Sequence, residues 1–549
     1  MAQPSSNGDQ AAREPAHVTQ PLSPNPPYLR EFADEILNVR VLDPLTAYQV
    51  KDQPGIRPTV FVADTLLVRG NHPDTLANLQ QVAADAGFQL VWDSRNDKDQ
   101  ALLRRAKLTD EQRAALQDSW VSRVKVVPVD EPAKAVFKPI DTWRLLQAYR
   151  VTVGFDSPRS GDVGLEHPTS TADVRPNPMT SPHPMTSPHP MTSPHPMTSP
   201  HPATTPYVVP GWGGRQPVAW LGQAPQGVIA KGETTRRPVV AILDSGIGIH
   251  PWLMDKAVVR NPKVMGELIG IPPVSVKADL SGVMDKLVGE LEADSGHGTF
   301  MAGLIRQACP DAVLLGIRLF HDDGVVAEGE LLRSLNLLVL RQMLALNGVK
   351  GYETVDVVAL SLGYYHEQPE DLAFDALLYS PLRLLGELGV AVVVSAGNEA
   401  TGRPAFPASF APYPSGPVQD DPARVPVSTV GAKNPDGTIA LFSNDGPWVQ
   451  YLRPGAALVS TFPITYNASA QASNELVNAY GEIRSGLDPD NFSSGFAVWS
   501  GTSFAAPYFA GQVAALLLKR YLQKDDSAEP GKAVARMRKV LASIPVRPE

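Results

Sequence analysis

One serine stands where a helix is predicted to begin. Ser503 lies in the segment Gly501-Thr502-Ser503-Phe504-Ala505-Ala506-Pro507, and an apolar run with helical spacing continues from Phe504 to Leu518. The free N–H groups and the dipole of a helix N-terminus favour negative charge that develops close to them. This position suits the nucleophile of an acyl-transfer reaction, although an ordinary capping serine would have the same local sequence.

Three further polar residues could cooperate with Ser503. Asp244 ends an apolar strand, His297 lies between two glycines before an apolar helix, and Asn398 closes another apolar strand. A carboxylate can orient an imidazole, the imidazole can act as a general base, and an amide can donate to an oxyanion. Each residue alone is also explained by an ordinary turn or helix start. Together, in the order Asp, His, Asn, Ser, they predict a catalytic site.

The choice of His297 as the base depends on its rivals. His250, His321 and His366 lie in the same half of the chain, but none of them is flanked by glycines at a predicted helix start. We therefore predict that His297 is the general base.

The elements that would position these residues alternate along the chain. Parallel strands buried on both faces read as continuous apolar runs, and helices between them predict an α/β fold with helices on both faces of the sheet. In such sheets the functional groups gather at the carboxyl ends of the strands. The predicted strands are 238–243, 312–317, 355–362, 390–395 and 425–430, and the predicted helices are 298–308, 328–346, 371–388 and 533–544.

Composition excludes several classes of function. The 549 residues carry a formal charge of −9 and show no basic face, so nucleic acid is not an expected partner. Cys309 is the only cysteine, which leaves no internal disulfide and no cysteine-based zinc site. No run of eighteen apolar residues exists, and the first thirty residues have no apolar signal segment. We expect a cytoplasmic protein without a membrane partner; export as part of a complex, or by an unusual signal, keeps secretion open.

Composition also divides the chain. We predict a disordered tail at 1–28, a small α+β domain at 29–160, a Pro-rich linker at 161–205, a connecting segment at 206–236, the α/β domain at 237–523, and a C-terminal helix and tail at 524–549. In the small domain, strands are predicted at 59–63, 65–68, 88–92, 121–129 and 151–155, and helices at 73–86 and 142–149.

The linker contains four unchanged copies of the unit Pro-Met-Thr-Ser-Pro-His, from Pro178 to His201. Two prolines in each unit predict an extended chain without a packed core. Its regularly spaced histidines would lie about 19 Å apart in that conformation, which disfavours a shared metal ion. A spacer is the default interpretation, and a Pro-rich docking segment is the alternative.

The four candidate residues stand in segments that resemble the motifs of subtilisin-type serine proteases, the subtilases. The resemblance covers about residues 237 to 523. The matching segments are Asp244-Ser245-Gly246-Ile247, His250-Pro251, His297-Gly298-Thr299-Phe300-Met301-Ala302-Gly303, Ser361-Leu362-Gly363, Ser395-Ala396-Gly397-Asn398 and the Ser503 segment. Phe300 replaces the usual second histidine and Phe504 the usual methionine, so we expect altered packing near the site and not inactivity.

The resemblance implies a fold, a reaction and a regulator. It implies a serine endopeptidase that acts on polypeptides, with Asp244, His297 and Ser503 as the triad and Asn398 as an oxyanion donor. Residues Ser361, Leu362 and Gly363 would bind substrate as an added strand. No cofactor is required; calcium is frequent in the family, but no ligands are assigned, and Asp322-Asp323-Gly324 reads as a turn.

Three questions stay open at the level of sequence. The N-terminal domain resembles a propeptide that inhibits or assists folding, but it would equally serve as a recognition module that contacts the catalytic domain or a protein partner. The enzyme would degrade broadly or process one dedicated protein. The alternative function is a catalytically idle subtilase-fold scaffold. A polar stretch at 471–492 is predicted to be a surface insertion that could narrow substrate access.

Overall fold

The structure, a computed structural model, describes residues 37–70, 72–129, 139–171, 207, 213–230, 233–254, 256–272, 283–285, 290–320, 324–368, 376–468, 475–523 and 530–547. The helices are α1 (Pro73–Asp85), α2 (Arg95–Arg105), α3 (Asp110–Ser119), α4 (Thr142–Val153), α5 (His297–Ala308), α6 (Glu328–Leu346), α7 (Ala376–Glu387), α8 (Thr502–Gln523) and α9 (Ala533–Ala542). The N-terminal strands are β1 (Val39–Leu42), β2 (Thr59–Val62), β3 (Thr65–Arg69), β4 (Phe88–Trp92), β5 (Val121–Pro128), β6 (Val163–Leu165) and β7 (Pro168–Thr171).

The remaining strands belong to the second half of the chain. They are β8 (Gln216–Pro217), β9 (Val239–Asp244), β10 (Val258–Arg260), β11 (Lys263–Val264), β12 (Glu267–Leu268), β13 (Val283–Asp285), β14 (Glu290–Leu291), β15 (Val313–Arg318), β16 (Val325–Ala327), β17 (Val357–Leu360), β18 (Leu362–Gly363), β19 (Ala391–Ser395), β20 (Ser428–Lys433), β21 (Tyr451–Pro454), β22 (Leu458–Thr461), β23 (Glu475–Val477), β24 (Ile483–Ser485) and β25 (Phe496–Trp499).

A parallel sheet of seven strands, in the order β10-β15-β9-β17-β19-β20-β21, forms the centre of the second half. Because successive side chains of a strand point to opposite faces, β9 contributes to two hydrophobic cores. Val239, Ala241 and Leu243 pack with α6 and α7, whereas Val240 and Ile242 pack with α5 and α8. The predicted α/β fold with helices on both faces is confirmed.

The N-terminal domain is an antiparallel sheet, β4-β5-β3-β6, with helices on it. On one face, Leu66 and Val68 of β3 pack with α1 and α4. On the other face, Leu67 belongs to the same hydrophobic cluster as α6 and α7. Since that cluster crosses from the small domain to the large one, the small α+β domain is packed onto the outer helices of the parallel sheet.

Several predicted boundaries change. The predicted strand at 151–155 is wrong, because Val151 to Val153 form the last turn of α4, which ends at Gly154 with φ +88°. Helices α2 and α3 were not predicted; a Thr109–Gln112 capping box at the start of α3 was the signal available for it. Strand β20 begins at Ser428, three residues later than predicted.

Strands β6 and β7 lie inside the range predicted as linker. Strand β6 pairs with β3, and β7 pairs with β16 and β18. The folded part of the N-terminal region therefore continues to Thr171. The predicted connecting segment also contributes to the large domain, since β8 pairs with β25.

Other predictions lie partly or wholly outside the described residues. These are the tail at 1–28, the hexapeptide repeats at 178–201, His321, and the turn at Asp322 and Asp323. The predicted insertion is described from Glu475 onwards, where β23 and β24 form an exposed hairpin. Within the described ranges, no helix combines the length and apolar character needed to cross a bilayer.

Candidate active site

The first pair of candidate residues is brought together at the edge of the parallel sheet. Asp244 is the last residue of β9, and His297 is the first residue of α5. His297 Nδ1 lies 2.8 Å from Asp244 Oδ1 and 2.9 Å from Oδ2, and both side chains are fully buried. An aspartate in this position holds the imidazole in one orientation and stabilises its protonated form.

Two glycines make this approach feasible. Gly296 precedes α5 with φ +81°, a conformation that side chains other than glycine disfavour. At Gly298 a Cβ atom would lie 2.3 Å from the carbonyl oxygen of Gly246 and 3.1 Å from Asp244 Oδ1. The Gly298 N–H donates to Ser245 Oγ at 3.0 Å, which ties the helix start to the strand end. Gly296 is therefore favoured by its left-handed backbone conformation, and Gly298 by close contact with the backbone of Gly246.

Ser503 is the second residue of α8 and is fully buried. Among the described residues its Oγ has no hydrogen-bond partner. Its carbonyl oxygen accepts from Ser361 Oγ at 3.0 Å. The ring of the neighbouring Phe504 lies 5.1 Å from the ring of His297, so the start of α8 lies close to His297.

Asn398 has a defined amide orientation. Its Oδ1 accepts from the Thr502 N–H at 2.9 Å and from Thr502 Oγ1 at 2.8 Å. Its Nδ2 is buried and has no hydrogen-bond partner within the described part of the chain. Because the amide oxygen is already occupied by the residue next to Ser503, the amide N–H groups are the part that can donate to an oxyanion. Sequence reasoning named this amide but missed Thr502 as the residue that orients it.

Aromatic side chains surround the imidazole. Trp499 meets the ring of His297 edge-on at 5.6 Å, and Phe504 lies 4.5 Å from Phe300. The two phenylalanines that differ from the expected motif residues thus pack against each other beside His297.

The rival histidines have other roles in the structure. His250 Nδ1 accepts from the Trp252 N–H at 3.1 Å, and burial lowers the pKa of its ring to about 4. His366 Nδ1 accepts from the Gln368 N–H at 3.0 Å, at the contact with the N-terminal domain. Neither is paired with Asp244 as His297 is.

A cleft leads to the site along β18. Strand β7 lies between β18 and β16 in an antiparallel three-stranded sheet, with Ser170 opposite both Gly363 and Val325. Thr171 Oγ1 donates to Asp294 Oδ1 at 2.5 Å, three residues before His297. Since β7 runs antiparallel to β18, its chain direction leads towards Ser361 and hence towards Ser503. The strand predicted to bind substrate is occupied by the N-terminal region.

A small cavity adjoins this cleft. Its lining includes Thr171, Leu362, Ser395, Ala396 and Gly397. Ser395 is buried, and its hydroxyl has no hydrogen-bond partner among the described residues.

Within the described ranges, no group of three or more histidine, cysteine or acidic side chains is arranged to hold a metal ion.

With this geometry in place, the chain can be compared with known proteins. Residues 235–541, more than half of the chain, match the sequence model of the subtilase family, Peptidase_S8. The chain therefore belongs to the subtilase family. The match includes α9, which packs with α8 through Met537, Val540 and Leu541 and which lies beyond the predicted boundary at 523.

Two curated proteins match part of the chain. The minor extracellular protease Epr of Bacillus subtilis (strain 168) is 22% identical over 254 residues, which are 44% of this chain and 31% of Epr. Fervidolysin of Fervidobacterium pennivorans is 25% identical over 309 residues, 51% of this chain and 34% of fervidolysin. The chain thus spans about a third of the length of either relative.

Solved structures also match. A lanthipeptide protease matches with a TM-score of 0.35 and 20% identity, over 55% of this chain and 79% of that chain. The prenylagaramide maturation protease PagA matches with a TM-score of 0.34 and 20% identity, over 54% and 80% of the two chains.

Proposed function

We propose that this subtilase is a serine endopeptidase that acts on polypeptides and that its N-terminal domain controls access to the site. The observation that carries the proposal is the buried pair of Asp244 and His297 beside a helix that presents Ser503. The curated relative Epr, which is named as a minor extracellular protease, supports the same reaction class.

The proposed mechanism uses the side chains in turn. His297 removes the Ser503 proton as Oγ attacks the substrate carbonyl, and Asp244 stabilises the imidazolium that forms. The Asn398 amide and the Ser503 backbone N–H donate to the oxyanion of the tetrahedral intermediate. His297 then gives its proton to the leaving amine, and water releases the acyl group from Ser503. The substrate lies along β18 as an added strand.

A serine-directed fluorophosphonate tests the proposal. We expect the full-length protein to be labelled slowly, because β7 lies along β18, and the Ser503→Ala variant not to be labelled. Ser494→Ala is the matched control, because Ser494 is exposed and outside the site. Labelling of the Ser503→Ala variant, or no labelling of either the wild-type protein or the Ser170→Pro variant, would favour the idle scaffold.

The regulatory part of the proposal rests on β7. A strand that fills the position of the substrate backbone blocks the cleft, which favours an inhibitory domain over a recognition module that leaves the site free. Ser170 lies in β7, the central strand of the three-stranded sheet, opposite Val325 and Gly363. Proline at position 170 has no backbone N–H and so weakens the strand pairing, whereas Ser170→Ala keeps the N–H. We expect Ser170→Pro to be labelled at least about tenfold faster than Ser170→Ala. Equal rates would contradict the regulatory role.

Broad degradation and dedicated processing are separated by substrate range. A panel of unrelated denatured proteins is incubated with the Ser170→Pro variant and analysed by mass spectrometry. Cleavage of many members would exclude a dedicated processor, and cleavage of none, together with labelling of Ser503, would support one.

A further inference from the structure

An ionic cluster of His167, Glu328 and Glu367 lies where the chain enters β7, at the end of this strand that is farther from Ser361 and Ser503. His167, the residue before β7, is only 2% exposed. Its Nδ1 lies 3.0 Å from Glu328 Oε2 and its Nε2 lies 3.1 Å from Glu367 Oε2. Tyr364 covers the imidazole in a stacked arrangement, with ring centroids 4.5 Å apart. One imidazole is thus held by two carboxylates and an aromatic ring.

The pocket belongs to the catalytic domain, and its occupant belongs to the N-terminal region. Glu328 begins α6, and Glu367 follows β18. The backbone of His167 is also gripped, since its N–H donates to Glu328 Oε2 at 3.2 Å and its carbonyl oxygen accepts from the Glu328 N–H at 2.9 Å. Any polypeptide bound in the register of β7 would therefore place one side chain in this pocket.

The chemistry of the pocket selects a cation. Burial alone would lower the pKa of His167, but its hydrogen bonds to Glu328 and Glu367 raise it to about 10, so the ring is protonated at neutral pH. Glu367 Oε1 is buried and has no hydrogen-bond partner among the described residues, which leaves an acceptor for a larger cation. Two buried carboxylates without a cation between them are costly.

The sequence holds further segments of the same pattern. The bound segment reads His167-Pro168-Thr169-Ser170-Thr171. The linker repeats the order histidine, proline, any residue, and two hydroxyl residues. The copies are His183-Pro184-Met185-Thr186-Ser187, His189-Pro190-Met191-Thr192-Ser193, His195-Pro196-Met197-Thr198-Ser199 and His201-Pro202-Ala203-Thr204-Thr205.

Two of the shared positions, those of His167 and Thr171, make side-chain contacts with the catalytic domain. The histidine occupies the acidic pocket, and the last hydroxyl residue stands in the place of Thr171, which donates to Asp294. The third position differs: Thr169 is buried and donates to the Val326 carbonyl oxygen at 3.1 Å, and methionine or alanine in the repeats would lose that bond. The repeats would consequently bind in the same register but less tightly than β7.

We propose that Glu328, Glu367 and Tyr364 form a subsite for a cation. A substrate bound in the register of β7 would be selected by a basic residue at the position of His167, four residues before the position of Thr171. The linker repeats would be alternative ligands of the same subsite. The proposal deepens the proposed function, because it names the substrate class of the same cleft. It also gives the Pro-rich repeats a docking role on the chain's own surface.

Peptide binding tests the subsite without relying on catalysis. Fluorescein-labelled peptides with the sequence of residues 165–171 are titrated at pH 6.0 by fluorescence anisotropy, with histidine, lysine or glutamine at the position of His167. The protein is the full-length chain with two substitutions. Ser503→Ala keeps the peptides intact, and His167→Asp places a third carboxylate in the pocket so that β7 is displaced. The linker copies of this chain compete equally with every peptide, so ratios of Kd are unaffected.

We expect the histidine and lysine peptides to bind about 10- to 100-fold more tightly than the glutamine peptide, the range of a buried charged hydrogen bond. A peptide of residues 181–187 should exceed its own His→Gln version by about tenfold or more. Both preferences should disappear when Glu328→Gln and Glu367→Gln are added. Equal affinities for cationic and neutral peptides would overturn the subsite, and equal affinities within the repeat pair would overturn the role of the repeats.

A second measurement covers the case in which His167→Asp does not fold. In the otherwise wild-type chain, His167→Lys keeps a cation in the pocket and His167→Gln does not. We expect fluorophosphonate labelling of Ser503 to be about tenfold slower in His167→Lys than in His167→Gln, and equal rates would overturn the subsite. Cation-selective peptide binding without any labelling of Ser503 would refute the endopeptidase activity but support the subsite. Labelling and cleavage without cation selectivity would support the endopeptidase activity but refute the subsite.

Discussion

Replacing His167 by glutamine should destabilise the protein in a pH-dependent manner. Glutamine keeps a hydrogen-bond donor of similar reach but carries no charge between Glu328 and Glu367. His366 and Arg150 also face this cluster: His366 Nδ1 lies 3.7 Å from Glu367 Oε2, and Arg150 bonds the neighbouring Gln368. Although burial would raise the pKa of Glu367, the charges of His366, His167 and Arg150 hold it below its ordinary value.

The magnitude follows from the pKa of His167. A rise from 6.5 to about 10 corresponds to roughly 5 kcal/mol of stabilisation of the charged ring in the folded state. Because the folded pKa is raised, this stabilisation is complete below pH 6.5 and is lost as the pH rises through 10. Glu367 has the opposite pH dependence: because its folded-state pKa is lowered, its stabilisation is complete above its ordinary pKa of 4.5 and is lost as the pH falls below that value. The loss of unfolding free energy caused by His167→Gln should therefore be about 3 kcal/mol larger at pH 6 than at pH 9.

Urea unfolding measures this difference. The Ser503→Ala chain is compared with the same chain carrying His167→Gln, at pH 6 and at pH 9. Unfolding is monitored by the fluorescence of Trp120 and Trp143, which are buried in the N-terminal domain. His72→Gln, which replaces the partly exposed histidine of the same domain, controls for histidine replacement in general. The same loss of unfolding free energy at both pH values, or a larger loss at pH 9, would refute the assignment of a buried charged imidazole.

Three further variants or treatments test the site and its core. Asp244→Asn should lower kcat by about 10⁴ without unfolding the protein, since the imidazole loses its orienting charge, and steady-state kinetics with circular dichroism checks both points. Asn398→Ala should lower kcat by about 10²–10³, the loss carried over from this family of proteases for one oxyanion donor, and unchanged turnover would remove Asn398 from the mechanism. Burial raises the pKa of the Cys309 thiol to about 12, so iodoacetamide at pH 8 should alkylate it only after unfolding in urea, and rapid alkylation of the native protein would contradict its buried position.

The positions of Asp244, His297 and Ser503 at the ends of their elements could be predicted because their determinants are local. A buried parallel strand reads as an apolar run that ends at Asp244, and glycines around His297 reflect a contact that no Cβ atom could make. The start of α8 at Ser503 follows from a turn and an apolar periodicity within one segment. Patterns of this kind depend on neighbours in the chain, and the subtilase motifs preserve them.

Elements of the small domain were predicted less well for the opposite reason. Val151 to Val153 are β-branched or small and favour a strand in isolation, but α4 continues through them because Leu145, Leu146 and Tyr149 of the same helix are buried in the domain core. A helix fixed by packing on one face extends past residues whose own propensity is weak.

The amino-acid order alone was enough to predict the family, the α/β order of elements, and the pairing of Asp244 with His297 at the carboxyl edge of the sheet. It could not predict that β7 pairs with β18, that Thr502 orients the Asn398 amide, or that His167 lies between Glu328 and Glu367. These contacts join residues separated by about a hundred positions or more. Strand pairing and buried charge pairs over such separations leave no periodic trace in the chain, because each partner satisfies only its own local pattern until folding brings the two together.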